Sequence, residues 1–506
     1  MEHFIATFFT YIETRPLIFT EGLFWVFFAV LLLGYSLVYK TSKARSAYLL
    51  VFSLFFYYKS SGFFFFLLIF STIVDYILGL LIGSTEVEWK RKLYVTLSVI
   101  VNLSVLSFFK YSYFFADTLN QLIGSNFEAF NFLAHWANLA VGSGFDVSSI
   151  VLPVGISFYT FQTISYSVDV YRRKVKPVTN IIDFGFYVSF FPQLVAGPIV
   201  RAAEFIPQIY QKYSLSKREL GYATFLILNG MLKKVVISDY ISLNLVDRVF
   251  ASPLSYSGFE NLLAVYGYAI QIYCDFSGYT DMAMGVALLL GFRLPLNFNS
   301  PYKATSITDF WHRWHISLSS WLKDYLYISL GGNRGGKVRT HFNLLITMLL
   351  GGLWHGANLR FLVWGAIHGV SLAIHKLWTT FFPPKVIAVP AWRRFLAALF
   401  TFHLVCLSWV FFRAESFSHA WNMLNQVATR FAWQSVFDVL NAYRVPALLI
   451  AGALLVHCLP VNFKELYRGS FISSHFLVKV LIILVAAFVI FQFKSAELQP
   501  FIYFRF

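Results

Sequence analysis

The chain has 506 residues, of which 58% are hydrophobic and 13% charged, with a formal charge of +16. Soluble domains run to roughly 45–50% apolar and about 25% charged residues, so this balance excludes an ordinary soluble protein. The basic residues are dispersed among apolar segments, which argues for membrane topology and contact with anionic membrane lipids and against nucleic-acid binding.

Taken in chain order, the first 21 residues carry Glu2, Glu13 and Glu21 against Arg15. This does not fit the basic n-region of a cleavable signal peptide. Uncharged runs then recur at 22–39, 62–74, 93–109, 342–359, 361–375, 395–412 and 480–493, with a shorter one at 47–58 that reads as a partial or buried helix. A helix needs about 20 apolar residues to cross a bilayer, and helices are the spanning structure that this composition supports. The expected fold is an all-α integral membrane protein, with about a dozen membrane helices in one compact bundle that includes interfacial or re-entrant helices. Lys40, Lys43 and Arg45 follow the first long run. The positive-inside rule puts that loop in the cytosol, together with the basic loops at 90–92, 172–176, 212–218 and 323–339. The interval 110–150 reads as a loop with an interfacial helix. No paired halves with broken helices, the usual pointer to a transporter, are found.

The most polar and aromatic stretch is "DFWHRWHISLSSWLKDYLYISLGGNRGG", residues 309–336. At 100° per residue, Trp311, Trp314, Leu318, Leu322 and Tyr325 fall on one stripe, with Arg313, Ser317, Ser320 and Asp324 opposite. The spacing predicts an amphipathic helix at the interface or dipping into the protein, with His315 at the edge of its apolar stripe and His312 turned towards the polar side. It runs into a basic glycine loop, 331–336.

Further along, "LLITMLLGGLWHGANLRFLVWGAIHG" is nearly all apolar but holds His355 and His368. An ionisable residue at membrane depth is a functional candidate by default. For His355 this stands level with the alternative of a neutral histidine bonded to a neighbouring helix, whereas His368 and His403 read as structural. His312 and His315 form an HxxH pair, but no Asp, Glu or Cys lies at matching spacing, so a metal site is not expected. Cys274, Cys406 and Cys458 are too scattered for a disulfide framework.

Together, "PLNFNSPYKATSITDFWHRWHISLSSWLKDYLYISLGGNRGG", "GGLWHGANLRFLVWGAIHG" and "WVFFRAES" resemble, in order, the membrane-bound O-acyltransferase family, in the branch of the alginate O-acetyltransferase membrane subunit. The D-alanyl transfer proteins of teichoic acid synthesis are more distant members. The signature core spans 150–416, "FFPQLVAGPIVR" and the closing "FIYFRF" also resemble that branch, and residues 1–506 are read as one domain with an aromatic tail at 495–506. A departure is His312, where an arginine is common in the family.

The resemblance implies a helical bundle with a central funnel open to the outside, in a bacterial cytoplasmic (inner) membrane. Its two signature histidines correspond to His315 and His355, which should meet near the funnel floor. Moving an acyl group from a thioester to a hydroxyl needs a base for the hydroxyl proton, and a neutral histidine suits that role. His355 is expected to be the base. His315, with Trp311 and Trp314 around it, would orient the donor or polarise its carbonyl. Asn333 and Arg334 would meet the phosphates of a cytosolic donor such as acetyl-CoA, with no bound cofactor. The family logic also implies a periplasmic, hydrolase-like acetyltransferase partner that completes transfer to an envelope polysaccharide. Tyr503 would enter the funnel and relay the acyl group, against the plainer reading of the tail as an interfacial aromatic anchor.

Overall fold

The computed structural model describes residues 8–12, 15–141, 146–383, 390–495 and 499–502. Among them every regular element is helical. Five stretches are long and apolar enough to cross a bilayer: Ser42–Ser84, Glu88–Ile123, Lys217–Ala251, Ala391–Arg413 and Phe476–Phe493. Trp433–Ala442 and Arg444–Cys458, bent by 91° at their junction, add a sixth if they form one broken span.

The expected number, about a dozen, is larger. The runs 342–359 and 361–375 fall largely within the helices Gly336–His355 and Leu359–Phe381, whose Arg339, His341, Asn343, Arg360 and Lys376 dilute the apolar residues. These two helices form a tight pair. A Cβ on Gly352 would lie 2.2 Å from the Phe361 carbonyl oxygen, and one on Gly365 would lie 2.4 Å from that of Met348. Only glycine permits that approach.

The interval 110–150 is more helical than expected. The helix that opens at Glu88 runs unbroken to Ile123, 36 residues, or about 54 Å at 1.5 Å per residue. That exceeds the roughly 30 Å hydrocarbon core of a bilayer. The apolar run ending at 109 is therefore only part of this helix, and Lys110 lies well inside it. A short helix, Phe132–Val141, follows and exposes Phe132, Leu133 and Trp136, as an interfacial element would.

Two buried apolar clusters meet along the aromatic stretch. Trp311 and Trp314 belong to one; Leu318, Leu322 and Tyr325 belong to the other. All five predicted stripe residues are buried, but the helix is not continuous. It runs Ile307–Arg313, breaks, and resumes at Ile316–Trp321 before passing into wider π-helical turns over Leu322–Tyr327. The break falls on His315, which adopts φ +43°. Such a left-handed conformation costs a non-glycine residue about 1–2 kcal/mol. The loop residue Asn297 holds it there: its carbonyl oxygen accepts from Ile316 N–H at 3.0 Å, and Asn299 N–H donates to the Arg313 carbonyl at 2.9 Å.

Candidate active site

His315 is fully buried, its ring packed edge-on against Phe276 at 4.7 Å between centroids. Its Nδ1 lies 3.2 Å from Oδ1 of Asn297, and the same oxygen accepts from the backbone N–H and the hydroxyl of Ser317 at 3.2 and 2.9 Å. Ser317, expected on the polar face, is buried by this role and also accepts from Ile199 N–H at 3.0 Å.

His355 ends the Gly336–His355 helix and is buried in an aromatic box of Trp354, Trp364 and Phe412, at ring distances of 5.0, 5.0 and 5.2 Å. The Trp354 indole is shared: it also stands 6.2 Å from the ring of His315. The two histidines, 40 positions apart in the chain, thus flank one tryptophan. His355 lines a small cavity of about 70 Å³ with Lys110, Gly155, Ser157, Val195 and Trp354.

A second cavity of about 540 Å³ lies towards the other end of the same helix, with Trp311, His312, Lys323, Asn333, Met348 and Lys376 among its lining residues. Met348 precedes His355 by seven residues, about 10 Å along a helix. The structure therefore separates the predicted site residues. Trp311 and Asn333 line the larger cavity, whereas Trp314 lies in the core against Phe298 and Trp409, and Arg334 is exposed on the loop outside the cavity lining. Lys376, which also lines the larger cavity, donates to Asn333 Oδ1 at 2.6 Å.

His312 and His315 fall on different surfaces, one in the larger cavity and one buried beside Asn297. His368 is held by the Ser408 hydroxyl at 2.9 Å, and His403 by Tyr266 and the Leu399 carbonyl, each at 2.8 Å. Both arrangements fit the structural roles expected for them.

The tail enters the bundle. The Pro500 carbonyl accepts from Lys234 Nζ at 3.2 Å, and Ile502 N–H donates to Asp275 at 2.8 Å. Phe501 is buried edge-on against Tyr279 at 4.6 Å. Tyr503 lies outside the described residues. The Gly258–Leu289 helix that receives the tail packs against the short helix Phe191–Leu194, and the next residue, Val195, lines the His355 cavity.

His315 and His355 flank one buried tryptophan, with His355 also lining a small cavity, and comparison with known proteins identifies the family. The model of the membrane-bound O-acyltransferase family matches residues 4–418. The chain belongs to the membrane-bound O-acyltransferase family. It is an integral membrane O-acyltransferase. It is 40% identical to the probable alginate O-acetylase AlgI of Azotobacter vinelandii over 445 residues, covering 87% of this chain and 83% of that one. It is 34% identical to the peptidoglycan O-acetyltransferase of Helicobacter pylori over 450 residues, 83% and 81% of the two chains. It is 29% identical to the teichoic acid D-alanyltransferase of Bacillus subtilis over 286 residues, 53% and 70% of the two chains.

Sequence reasoning missed Asn297, Ser157, Trp354 and Lys110. Asn297 stands inside the quoted string "PLNFNSPYK", and Lys110 is the lone cation that closes the uncharged run 93–109. Those positions were the available signals.

Proposed function

We propose that this O-acyltransferase moves an acetyl group from acetyl-CoA, or a similar cytosolic thioester, towards an extracytoplasmic envelope polysaccharide. An alginate-like exopolysaccharide is favoured and peptidoglycan comes next, in the order of identity of the two relatives named for those polymers. The observation that carries the reading is the pair of cavities at different points of the Gly336–His355 helix, with His355 in the smaller one. The larger cavity has an apolar interior and the cations Lys323 and Lys376 among its lining, which suits a phosphate-bearing thioester. The smaller one has room for a single hydroxyl-bearing group and not for a polymer chain. The membrane is then a bacterial inner membrane, and a periplasmic hydrolase-like transferase completes the transfer.

In the reaction, a hydroxyl oxygen in the small cavity attacks the thioester carbonyl carbon while His355 accepts the hydroxyl proton. The tetrahedral intermediate collapses, the carbon–sulfur bond breaks, and the proton passes from His355 to the departing sulfur. The products are an ester and a free thiol, with no net proton released. General-base help of this kind contributes about 10²–10⁴ in rate. Asn297 keeps the proton of His315 on Nδ1, so Nε2 presents a lone pair. That suits orienting a donor N–H or an acceptor hydroxyl better than polarising a carbonyl.

Replacing His355 by Ala tests the reading. Acylation of the cell's polymer should be lost while the protein accumulates normally in the membrane, His315→Ala should be severe too, and His368→Ala should act through stability. Near-normal acylation by the His355 variant at equal protein level would remove His355 as the base.

A further inference from the structure

The last four carbonyls of a helix have no partner within it, and the helix that carries His355 ends deep in the protein. Each of its four is accounted for. The Gly352 oxygen accepts from Gly356 N–H at 3.4 Å. The Leu353 oxygen accepts from the Tyr111 hydroxyl at 2.8 Å. The Trp354 and His355 oxygens accept from Lys110 Nζ at 2.7 and 3.2 Å. The third proton of that ammonium faces the Ser157 hydroxyl at 3.4 Å. Two adjacent residues of one long helix, Lys110 and Tyr111, thus cap the last turn of another.

We propose that Lys110 is the positioning residue for His355, an ammonium clamp that replaces the helical turn missing after it. Beyond His355 the chain leaves helical geometry at Gly356, φ −166°, so no further turn holds the backbone that carries the ring. The clamp grips the neighbour as well as the backbone. Lys110 Nζ lies 5.9 Å from the centre of the Trp354 ring, the indole that His315 and His355 share, and Trp354 Nε1 reaches the Ser157 carbonyl at 3.4 Å. A cation also suits a helix C-terminus, where the peptide dipoles converge. A lysine at this depth in a helix that otherwise spans lipid ordinarily reaches for water; here its ammonium turns inward and lines the His355 cavity. The role in acylation rests on the reading of His355 as base; the clamp itself does not.

The test uses the full-length protein in lipid nanodiscs with diethyl pyrocarbonate as probe, following each histidine by peptide mass spectrometry. In Lys110→Met, labelling of His355 should speed up at least about fivefold while His368, one helix away, stays within twofold. Lys110→Arg, which keeps cation and donors, should bring His355 back to within twofold of wild type. In cells at matched protein level, acylation should fall at least tenfold for Lys110→Met and stay above a third of wild type for Lys110→Arg. Unchanged His355 labelling in Lys110→Met overturns the proposal, and so does equal acceleration of His368, which would mean general loosening. If Lys110→Met does not accumulate, Lys110→Leu, which likewise lacks donors and charge, is read by the same criteria. Normal acylation in both the His355 and Lys110 variants, with His355 labelling still accelerated, would sink the base assignment and leave the clamp standing.

Discussion

Oδ1 of Asn297 faces Nδ1 of His315 at 3.2 Å, and this contact fixes which ring nitrogen carries the proton. The backbone N–H of Ser317 points at the same Asn297 atom, and an N–H can only donate, so that atom is the amide oxygen. The Ser317 hydroxyl gives it a further proton while accepting from Ile199 N–H. An oxygen surrounded by donors requires a proton on His315 Nδ1, leaving Nε2 as the accepting nitrogen.

Asn297→Ala should therefore damage both the fold and the chemistry. Three donors, the Ser317 N–H and hydroxyl and the His315 Nδ1–H, lose a buried acceptor, at about 1–3 kcal/mol for an unsatisfied group, and the His315 ring loses its preferred tautomer. The expected outcome is a lower melting temperature in detergent and at least a tenfold loss of polymer acylation after correction for membrane level. Wild-type acylation in that variant would show that the tautomer of His315 is immaterial.

The larger cavity gives a second test. Met348 and Thr347 line its wall on the His355 helix, and a Trp at 348 would fill space there, a change that costs about 1–3 kcal/mol in a packed interior. Met348→Trp should raise the KM for acetyl-CoA by tenfold or more with membrane level maintained. Lys376→Ala should raise it by a few-fold, consistent with an exposed charge contact of about 0.2–1 kcal/mol. Arg334→Ala, outside the lining, should stay within twofold. Steady-state thiol release by the purified protein measures all three, and an Arg334 effect larger than that of Lys376 would place the phosphates on the glycine loop instead.

The histidines, the aromatic stripe and the helical class were legible because each leaves a local mark: an ionisable residue in an apolar run, or a period of 3.6. What was hidden depends on contacts across the chain. Asn297 breaks the predicted helix at His315 from 18 positions away, and no periodicity records that. Lys110 reads as the end of a membrane segment, yet it is the middle of a long helix whose partner lies 245 positions on. Fewer long apolar stretches stand out among the described residues than expected for a related reason: helices buried among other helices need not be apolar along their whole length. Trp314 and Trp311 look alike in sequence, and only the break at 314–315 sends one into the core and the other to a cavity wall.

The charge pattern predicts the topology. Lys323, Arg334, Lys337 and Arg339 cluster at the N-terminal end of the His355 helix, and short basic loops remain cytosolic. A reporter fused after Lys337 should read as cytosolic, on the side from which a thioester donor arrives. An extracytoplasmic signal there would place the larger cavity on the wrong face for such a donor.

The tail supplies the last test, because substitutions at two of its aromatic residues separate an anchor from a relay. Phe501 is buried against Tyr279, with the Lys234 ammonium 4.9 Å from its ring centre. Truncating such a core phenylalanine typically costs about 3–5 kcal/mol, and here that loss would fall on docking of the tail. Phe501→Ala should free the tail to proteolysis and reduce acylation, whether the tail is an anchor or a relay. Tyr503→Phe removes one hydroxyl and keeps the ring, so an anchor would not notice it. A relay would: a phenol, with a pKa of about 10, is a better leaving group than a sugar hydroxyl, and its ester can be passed on. The expected result is loss of polymer acylation at normal protein level, with an acetyl group detectable by mass spectrometry on the wild-type tail peptide and absent after Tyr503→Phe or His355→Ala. Full acylation by Tyr503→Phe would leave the tail as an anchor, with another small hydroxyl-bearing group receiving the acetyl group beside His355.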